Sequence, residues 1–265
     1  MILRIFYMML LCIPLSILPQ QHARSELRTA AINAGAAAGT GAVVAPALAL
    51  ANKVIGNQSW KQMAHAVRTG IVPFSATFAA GYVVQQWTAN RILKQLKDTQ
   101  LSSSALLAAQ IPGAALGGWL SSIAEGQLMH ASKQIPSNKR LTLMATGWHA
   151  GPAAALRDVF FFGGMQASEE IEKKLSQYSQ NSSLNHIGAI GSSSIAATIV
   201  SNPAAYIRTR QAQESVHKRI SWQEIIAQDG IKKLVTKGLG SRMLVFAGVY
   251  ATMPALKAML QKQIA

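Results

Sequence analysis

Long stretches without an ionisable side chain are the feature that most limits what this chain can fold into. Four of them contain no Asp, Glu, Lys or Arg, namely residues 29–52, 69–90, 101–124 and 175–207. Two more, residues 141–168 and 238–256, contain only Arg157, Asp158 and Arg242. Because the hydrocarbon core of a bilayer takes about 20 apolar residues in helical form, each stretch is long enough to cross it. The sequence therefore predicts an integral membrane protein with six transmembrane helices.

The positive net charge limits which molecules the chain is expected to bind. The 265 residues include 25 Lys and Arg against 10 Asp and Glu, a net charge of +15, although only 13% of residues are charged. The basic residues lie between the apolar stretches and not on one soluble face among aromatic residues, so we expect anionic phospholipid and no nucleic acid as a partner. A single cysteine, Cys12, excludes a disulfide framework and every multi-cysteine zinc site. We expect no metal and no cofactor, and the sequence carries no enzyme signature.

The chain begins with an apolar and basic segment, residues 1–28, ahead of the first predicted span. Arg4 followed by apolar residues is typical of a signal sequence, but Pro14 and Pro19 interrupt the apolar run. We favour one of two other interpretations. Either the segment is not cleaved and lies at the membrane interface, or it is present because an upstream start codon has been assigned.

The six predicted spans fall into three pairs, so the rest of the chain divides into three repeats, residues 29–98, 99–178 and 179–265. Internal repeats of this kind are common in membrane transporters. Glycines four residues apart, such as Gly113 and Gly117, predict close packing between helices. Only the third linker is long enough for a surface helix, which we expect to begin at Trp222.

Two sequence blocks resemble those of a known family. In the third repeat a glycine-rich span leads to Pro203, Arg208 and Arg210, followed by Asp229-Gly230 and Lys237-Gly238. In the second repeat Gly147-Trp148 and Pro152 precede Leu156-Arg157-Asp158-Val159. Pro46 stands at the corresponding proline position of the first repeat. Over residues 30 to 260 the pattern resembles the mitochondrial carrier family.

This resemblance implies an all-α membrane protein in which six transmembrane helices form three two-helix repeats around a central cavity. It implies a solute carrier of the mitochondrial inner membrane that works by alternating access and binds an anionic phospholipid such as cardiolipin. The family's substrate contacts correspond to Gly70 with Ile71, Arg157 with Asp158, and Val245 with Phe246. In the family, an arginine followed by an acidic residue at this contact goes with amino-acid-type substrates.

Arg157 and Asp158 are also the residues that physical chemistry singles out. A charge within an apolar span is costly and is by default a sign of function. The guanidinium can bind a carboxylate through two hydrogen bonds, and the aspartate can bind an ammonium group. We therefore expect a small carboxylate-bearing, amino-acid-like solute. The alternative that stays open is that the two side chains only hold helices together.

The chain departs from the family at its two gates. The family's inner gate uses a proline, an acidic residue and a basic residue from each repeat. This chain has Pro46, Leu48 and Ala51 at these positions in the first repeat, Glu125, Gln127 and His130 in the second, and Pro203, Ala205 and Arg208 in the third. No ion pair is left there, so a closed state would be held by apolar packing and hydrogen bonds. At the opposite gate only the second repeat keeps an ion pair, Glu170 with Lys173.

Three alternatives to a working amino-acid carrier stay open. A carrier-shaped protein that has lost transport would act as an adaptor for a membrane protein partner, in the outer mitochondrial membrane. A nucleotide carrier is the second alternative. The third is a carrier that an intracellular bacterium delivers to host mitochondria, which is compatible with the unusual N-terminal segment and the missing gate residues.

Overall fold

The computed structural model describes residues 20–95, 111–120, 122–123, 143–213 and 219–264. Within these ranges the chain is helical and contains no β-strand, so the predicted all-α class is confirmed for this part of the chain. The helices are α1 (Gln20–Gly56), α2 (Trp60–Gln95), α3 (Ile111–Leu120), α4 (Leu143–Leu175), α5 (Ser182–Gln213), α6 (Trp222–Thr236) and α7 (Leu239–Ile264). The predictions for residues 1–19 and for Glu125, Gln127 and His130 lie outside the described residues.

Among the residues that the structure describes, three helices are long and apolar enough to cross a membrane. Their apolar parts, Ser25–Gly56 in α1, Trp60–Ile92 in α2 and Leu239–Gln263 in α7, reach mean hydropathies of 1.6, 1.2 and 1.5. Helix α3 is a shorter apolar helix over its described residues. Helices α4 and α5 have 33 and 32 residues, which is length enough, but charged residues in α4 and many Ser and Asn residues in α5 make them less apolar. Within the described residues, three helices thus indicate a membrane protein, and the arrangement of six spans stays a prediction.

Reciprocal side-chain hydrogen bonds explain where two helices begin. Ser59 Oγ accepts from Gln62 N at 3.2 Å, and Ser59 N donates to Gln62 Oε1 at 2.8 Å, just before α2. Ser221 and Glu224 form the same arrangement at the start of α6, at 3.2 and 2.7 Å. Each arrangement satisfies two backbone amides that a helix start leaves unpaired. The predicted surface helix beginning at Trp222 is confirmed.

Helices that follow one another in the chain pack side by side. Helix α1 contacts α2 and α7, α4 contacts α5, and α5 contacts α6 and α7. Helix α3 lies between α2 and α4, because a Cβ on Gly117 would lie 2.8 Å from Gly81 O, and a Cβ on Gly118 would lie 2.7 Å from Ala154 O. Any residue larger than glycine would push these backbones apart, so close packing at Gly117 is confirmed.

Over the described residues, the apolar interior has two parts. The larger core contains buried side chains from α1 to α5 and from α7, with Phe161, Phe162 and Phe246 among them. A second cluster contains Ile55, Ala153, Tyr206, Ile207, Ile220, Ile225 and Leu234. It joins the end of α1, the start of α4, the end of α5 and helix α6. We call this end of the helix bundle the packed end.

Helix α6 lies across the packed end and is attached there by polar contacts. Asn202 Nδ2 on α5 donates to Leu234 O and Val235 O, each at 2.9 Å, which satisfies carbonyl groups at the end of α6. Gly230 interrupts the helix with φ of 75° and ψ of 155°. Only glycine adopts this backbone conformation readily, which explains the glycine of the Asp229-Gly230 pair.

Candidate functional site

A small cavity lies between α1, α2, α4 and α7. Its volume is ≈ 40 Å³, and most of the side chains that line it are aromatic or aliphatic. Three charged side chains also line it, Arg157 and Asp158 from α4 and Arg242 from α7. We call this space the central cavity. As it stands, it has room for only a few water molecules.

Arg157 and Asp158 are both withdrawn from solvent. Their exposed fractions are 6% and 7%, and Arg157 Nε lies 2.5 Å from Asp158 Oδ1. Asp158 also packs against α3, since a Cβ on Gly118 would lie 2.9 Å from Asp158 Cβ. Charges removed from water are stable only when they are paired and hydrogen-bonded. The pair therefore presents a buried, charged surface to the central cavity.

Four of the six predicted substrate-contact residues lie together at the central cavity. Arg157, Asp158, Val245 and Phe246 line it. Gly70 is buried and Ile71 packs against the larger core, but neither lines the cavity. Helix α2 contributes Phe74 and Phe78 instead, starting one helical turn beyond Gly70. The wall that α2 gives the central cavity is thus aromatic, and contact of Gly70 and Ile71 with a solute stays a prediction.

An aromatic layer lies next to the central cavity along the bundle. The ring of Phe161 packs edge-on against those of Phe246 and Phe162, with centroids 4.7 and 4.9 Å apart. The Tyr250 ring lies 5.4 Å from Phe161, and the Tyr250 hydroxyl donates to Phe161 O at 2.5 Å. Edge-to-face contacts fix the relative orientation of rings. The layer therefore connects α4 to α7 on the side of the central cavity away from the packed end.

Beyond the aromatic layer lies a larger cavity of ≈ 300 Å³, formed by α2, α4, α5 and α7, which we call the vestibule. Among its lining residues are Glu169, Glu172, His186 and Lys257. His186 Nδ1 lies 2.9 Å from Glu172 Oε2, and Lys257 Nζ donates to the Tyr82 hydroxyl at 2.5 Å. The vestibule thus offers both signs of charge together with neutral hydrogen-bonding groups.

The residues of the predicted gate pair point away from the vestibule. Glu170 and Lys173 are both exposed, and neither lines the vestibule. The carboxylates that do line it are Glu169 and Glu172. Because each residue advances a helix by about 100°, a shift of one residue turns a side chain from one face to another. A gating role for Glu170 and Lys173 stays a prediction, and this placement does not favour it.

The acidic and basic positions of the inner gate that the structure describes are buried at the packed end. Leu48, Ala51, Ala205 and Arg208 are each at most 4% exposed. Pro46 and Pro203 lie inside α1 and α5. Helix α1 contacts α5 as well as α7, and at this end Thr209 Oγ1 on α5 lies 3.5 Å from Asn52 Oδ1 on α1. The two ends therefore differ, because one is closed by packing and the other contains the vestibule.

Arg210 is part of the attachment of α6 and does not line the central cavity. Its Nε lies 3.0 Å from Asp229 Oδ2, and Asp229 Oδ1 lies 3.7 Å from Lys233 Nζ. Nearby, burial lowers the pKa of Lys237 below its ordinary value; the charge of Asp229 opposes this change, and the charges of Lys233 and Arg210 add to it. The basic and acidic residues here act between α5 and α6.

Sequence reasoning alone missed some residues that the structure places at the two cavities. Arg242 enters the sequence argument only as an interruption of a span, yet it is 2% exposed and lines the central cavity. The signal that could have found it is the one that marks Arg157, a charge inside an apolar stretch. Glu169 and Glu172 carry no such signal, because they lie in a charged run with Glu170 and Lys173.

Comparison with known proteins does not identify a family. No family model matches the chain, and a search of the curated proteins finds no similar one. The resemblance to mitochondrial carriers therefore stays an expectation that rests on the motifs. Over the residues with described positions, no group of three or more His, Cys, Asp or Glu side chains could hold a metal ion.

Proposed function

We propose that the chain is a membrane carrier of the mitochondrial carrier type, which moves a small carboxylate-bearing, amino-acid-like solute by alternating access. The proposal includes six transmembrane helices in three repeats and a place in the mitochondrial inner membrane. The contacts between consecutive helices support it, because α1 to α5 follow one another side by side and α7 contacts both α5 and α1. Such an order of neighbours is what a ring of six helices around a cavity requires.

The observation that carries the proposal is the buried charge of the central cavity. Among the described residues that line it are two guanidinium groups, of Arg157 and Arg242, and one carboxylate, of Asp158, so positive charge exceeds negative charge in this part of the wall. An arginine binds a carboxylate through two parallel hydrogen bonds, and an aspartate accepts hydrogen bonds from an ammonium group. A small molecule with both groups would satisfy both kinds of side chain.

The difference between the two ends of the bundle supports alternating access. The vestibule has a volume of ≈ 300 Å³ and the central cavity one of ≈ 40 Å³. An amino acid is larger than a few water molecules, so its binding next to Arg157 requires the surrounding helices to move. A solute can drive that movement only as far as it binds the two arrangements with different affinity.

The experiment that tests the proposal begins with a choice of solute. Thermal unfolding of the detergent-purified protein is measured against a panel of amino acids, keto acids and nucleotides, because a bound solute raises the apparent stability. Uptake of the solute that stabilises most is then measured in reconstituted vesicles. We expect Arg157→Ala to abolish this uptake, and Arg157→Lys to lower it strongly, because lysine keeps the charge without the paired donors.

The matched control is Arg68→Ala, which removes an exposed arginine from α2. It is expected to leave uptake unchanged. Equal uptake by Arg157→Ala and the unaltered protein would refute the assignment of the binding site. The amounts of folded protein must be equal in all samples.

An adaptor without transport is the second candidate. It is favoured by apolar residues such as Leu48 and Ala205 at inner-gate positions, and by the apolar side chains of Phe74 on α2 and Val245 on α7 in the lining of the central cavity. The absence of any stabilising solute, in a protein that unfolds cooperatively, would support the adaptor. Stabilisation by nucleotides alone would support a nucleotide carrier.

A further inference from the structure

A buried polar cluster lies where the packed end meets the central cavity. Arg242 Nη2 on α7 donates to Ala205 O at 3.1 Å and to Thr209 Oγ1 at 3.0 Å, both on α5. Asn52 Oδ1 on α1 lies 3.5 Å from the same Thr209 hydroxyl. Asn52, Thr209 and Arg242 are each at most 3% exposed. The cluster thus connects three helices out of reach of solvent.

The two acceptors that α5 offers to Arg242, a backbone carbonyl and a hydroxyl group, are neutral. Ala205 stands at the position where the family's motif has an acidic residue, and its backbone oxygen accepts from the guanidinium instead. A hydrogen bond from a charged donor contributes more than one between neutral groups, and losing it leaves a buried charge less well satisfied. These two contacts of Arg242 therefore hold α7 against α5 through neutral acceptors on α5.

We propose that Arg242, Thr209 and the Ala205 carbonyl form a latch that keeps the packed end closed. The latch goes beyond the proposed function, because it requires no particular solute. Arg242 acts here as a positioning residue, since its effect on the packed end passes through α5. Breaking the latch lets α5 move away from α7 and exposes residues of α5 that are otherwise buried.

Cysteine accessibility in the full-length protein, reconstituted in liposomes, tests the latch. Cys12 is the only cysteine, so Cys12→Ser provides the background. Ser201→Cys then places a thiol on α5 one turn before Ala205, at a residue that is 0% exposed. We expect a charged thiol reagent to label it slowly. In Thr209→Val and in Arg242→Met the rate should rise about tenfold, which corresponds to about 1.4 kcal/mol.

Two variants control for general loosening and for misfolding. Thr252→Val makes the same chemical change on α7, but that hydroxyl donates to Gly248 O at 2.7 Å within its own helix. It should leave the labelling rate unchanged. Arg242→Lys keeps the charge and a donor, so it should restore slow labelling in part. Thr209→Val keeps the shape of the side chain, so the test does not depend on the folding of the arginine variants.

A second reporter separates a latch from a merely structural contact. Ser168→Cys places a thiol in the wall of the vestibule. Loss of the latch should leave its labelling unchanged or lower it, whereas a general loss of packing raises labelling at both reporters. The proposal would be overturned if Ser201→Cys is labelled at an unchanged rate in both latch variants. It would also be overturned if labelling of Ser168→Cys rises as much as that of Ser201→Cys, or if Thr252→Val raises labelling of Ser201→Cys as much as the latch variants do.

The two reporters also keep the latch and the proposed function apart. Faster labelling of Ser201→Cys with slower labelling of Ser168→Cys supports both the latch and alternating access. Faster labelling of Ser201→Cys with no change at Ser168→Cys supports the latch and counts against alternating access. Neither result depends on finding a transported solute.

Discussion

Gly163 and Gly164, neighbours in α4, provide the sharpest test of how the helices pack. A Cβ on Gly164 would lie 2.5 Å from Ala197 Cβ and 2.5 Å from the Tyr250 hydroxyl. A Cβ on Gly163 would meet no atom of the described chain within 4 Å. Both residues lie in the same helix, so the gain in helix propensity on changing Gly to Ala, about 0.5–1 kcal/mol, applies to both. Their difference in stability therefore measures the steric contact alone.

The expected effects have opposite signs. Gly163→Ala should raise the free energy of unfolding by about 0.5–1 kcal/mol. Gly164→Ala must displace both Ala197 on α5 and Tyr250 on α7, and overpacking of this kind costs about 1–3 kcal/mol. The net result for Gly164→Ala is a loss of up to about 2.5 kcal/mol after the gain in propensity. Displacing Tyr250 would also weaken its hydrogen bond to Phe161 O in the aromatic layer.

Unfolding of the two variants in detergent, followed by tryptophan fluorescence against denaturant, measures this difference directly. We expect Gly163→Ala to unfold at a higher denaturant concentration than the unaltered protein, and Gly164→Ala at a lower one. Equal midpoints for the two variants, or the reverse order, would refute the packing of α4 against α5 and α7 that is described above.

Two further predictions concern the packed end. Gly230→Ala places a side chain on a backbone with φ of 75°, which costs about 1–3 kcal/mol, so we expect it to lower the free energy of unfolding. The control is Gly240→Ala, which should not lower it, because the added Cβ has open space around it within the described chain. Equal effects of the two substitutions in denaturant unfolding would contradict this prediction. The lowered pKa of Lys237 means that the unfolded chain keeps its proton at a pH where the folded chain has lost it. The free energy of unfolding should therefore rise with pH between the pKa of Lys237 in the folded protein and its ordinary value. Lys237→Gln should flatten that rise. An unfolding midpoint that depends on pH in the same way in the variant and in the unaltered protein would contradict this prediction.

The sequence allows the helices to be predicted, because a run of residues without charge leaves few other structures open. The charge-free residues 29–52 and 69–90 lie inside α1 and α2, and residues 239–256 of the predicted last span lie inside α7. The close approach at Gly117 was also predictable, since small residues at this spacing let backbones meet. These features depend on local composition and need no knowledge of the neighbouring helices.

The rotation of each helix about its own axis could not be predicted in the same way. Helices α2 and α4 are apolar on several faces, so the sequence alone does not show which residue meets a cavity. For this reason Phe74 lines the central cavity in place of Gly70, and Glu169 lines the vestibule in place of Glu170. The contacts of Arg242 depend on the position of α5, more than 30 residues earlier in the chain.

Apolar residues at inner-gate positions, such as Leu48 and Ala205, do not by themselves argue against transport. Opening a gate of buried ion pairs leaves charges unpaired in a medium of low dielectric, which is costly. Opening the latch removes hydrogen bonds from Arg242 to two neutral acceptors. A carboxylate is the stronger acceptor for a guanidinium, so a solute carboxylate in the central cavity would replace what Arg242 loses on leaving Ala205 and Thr209. Binding and opening would then be coupled through one side chain that belongs to both the cavity and the packed end. An adaptor has no need of such a residue at a cavity, and this is why the position of Arg242 favours a carrier.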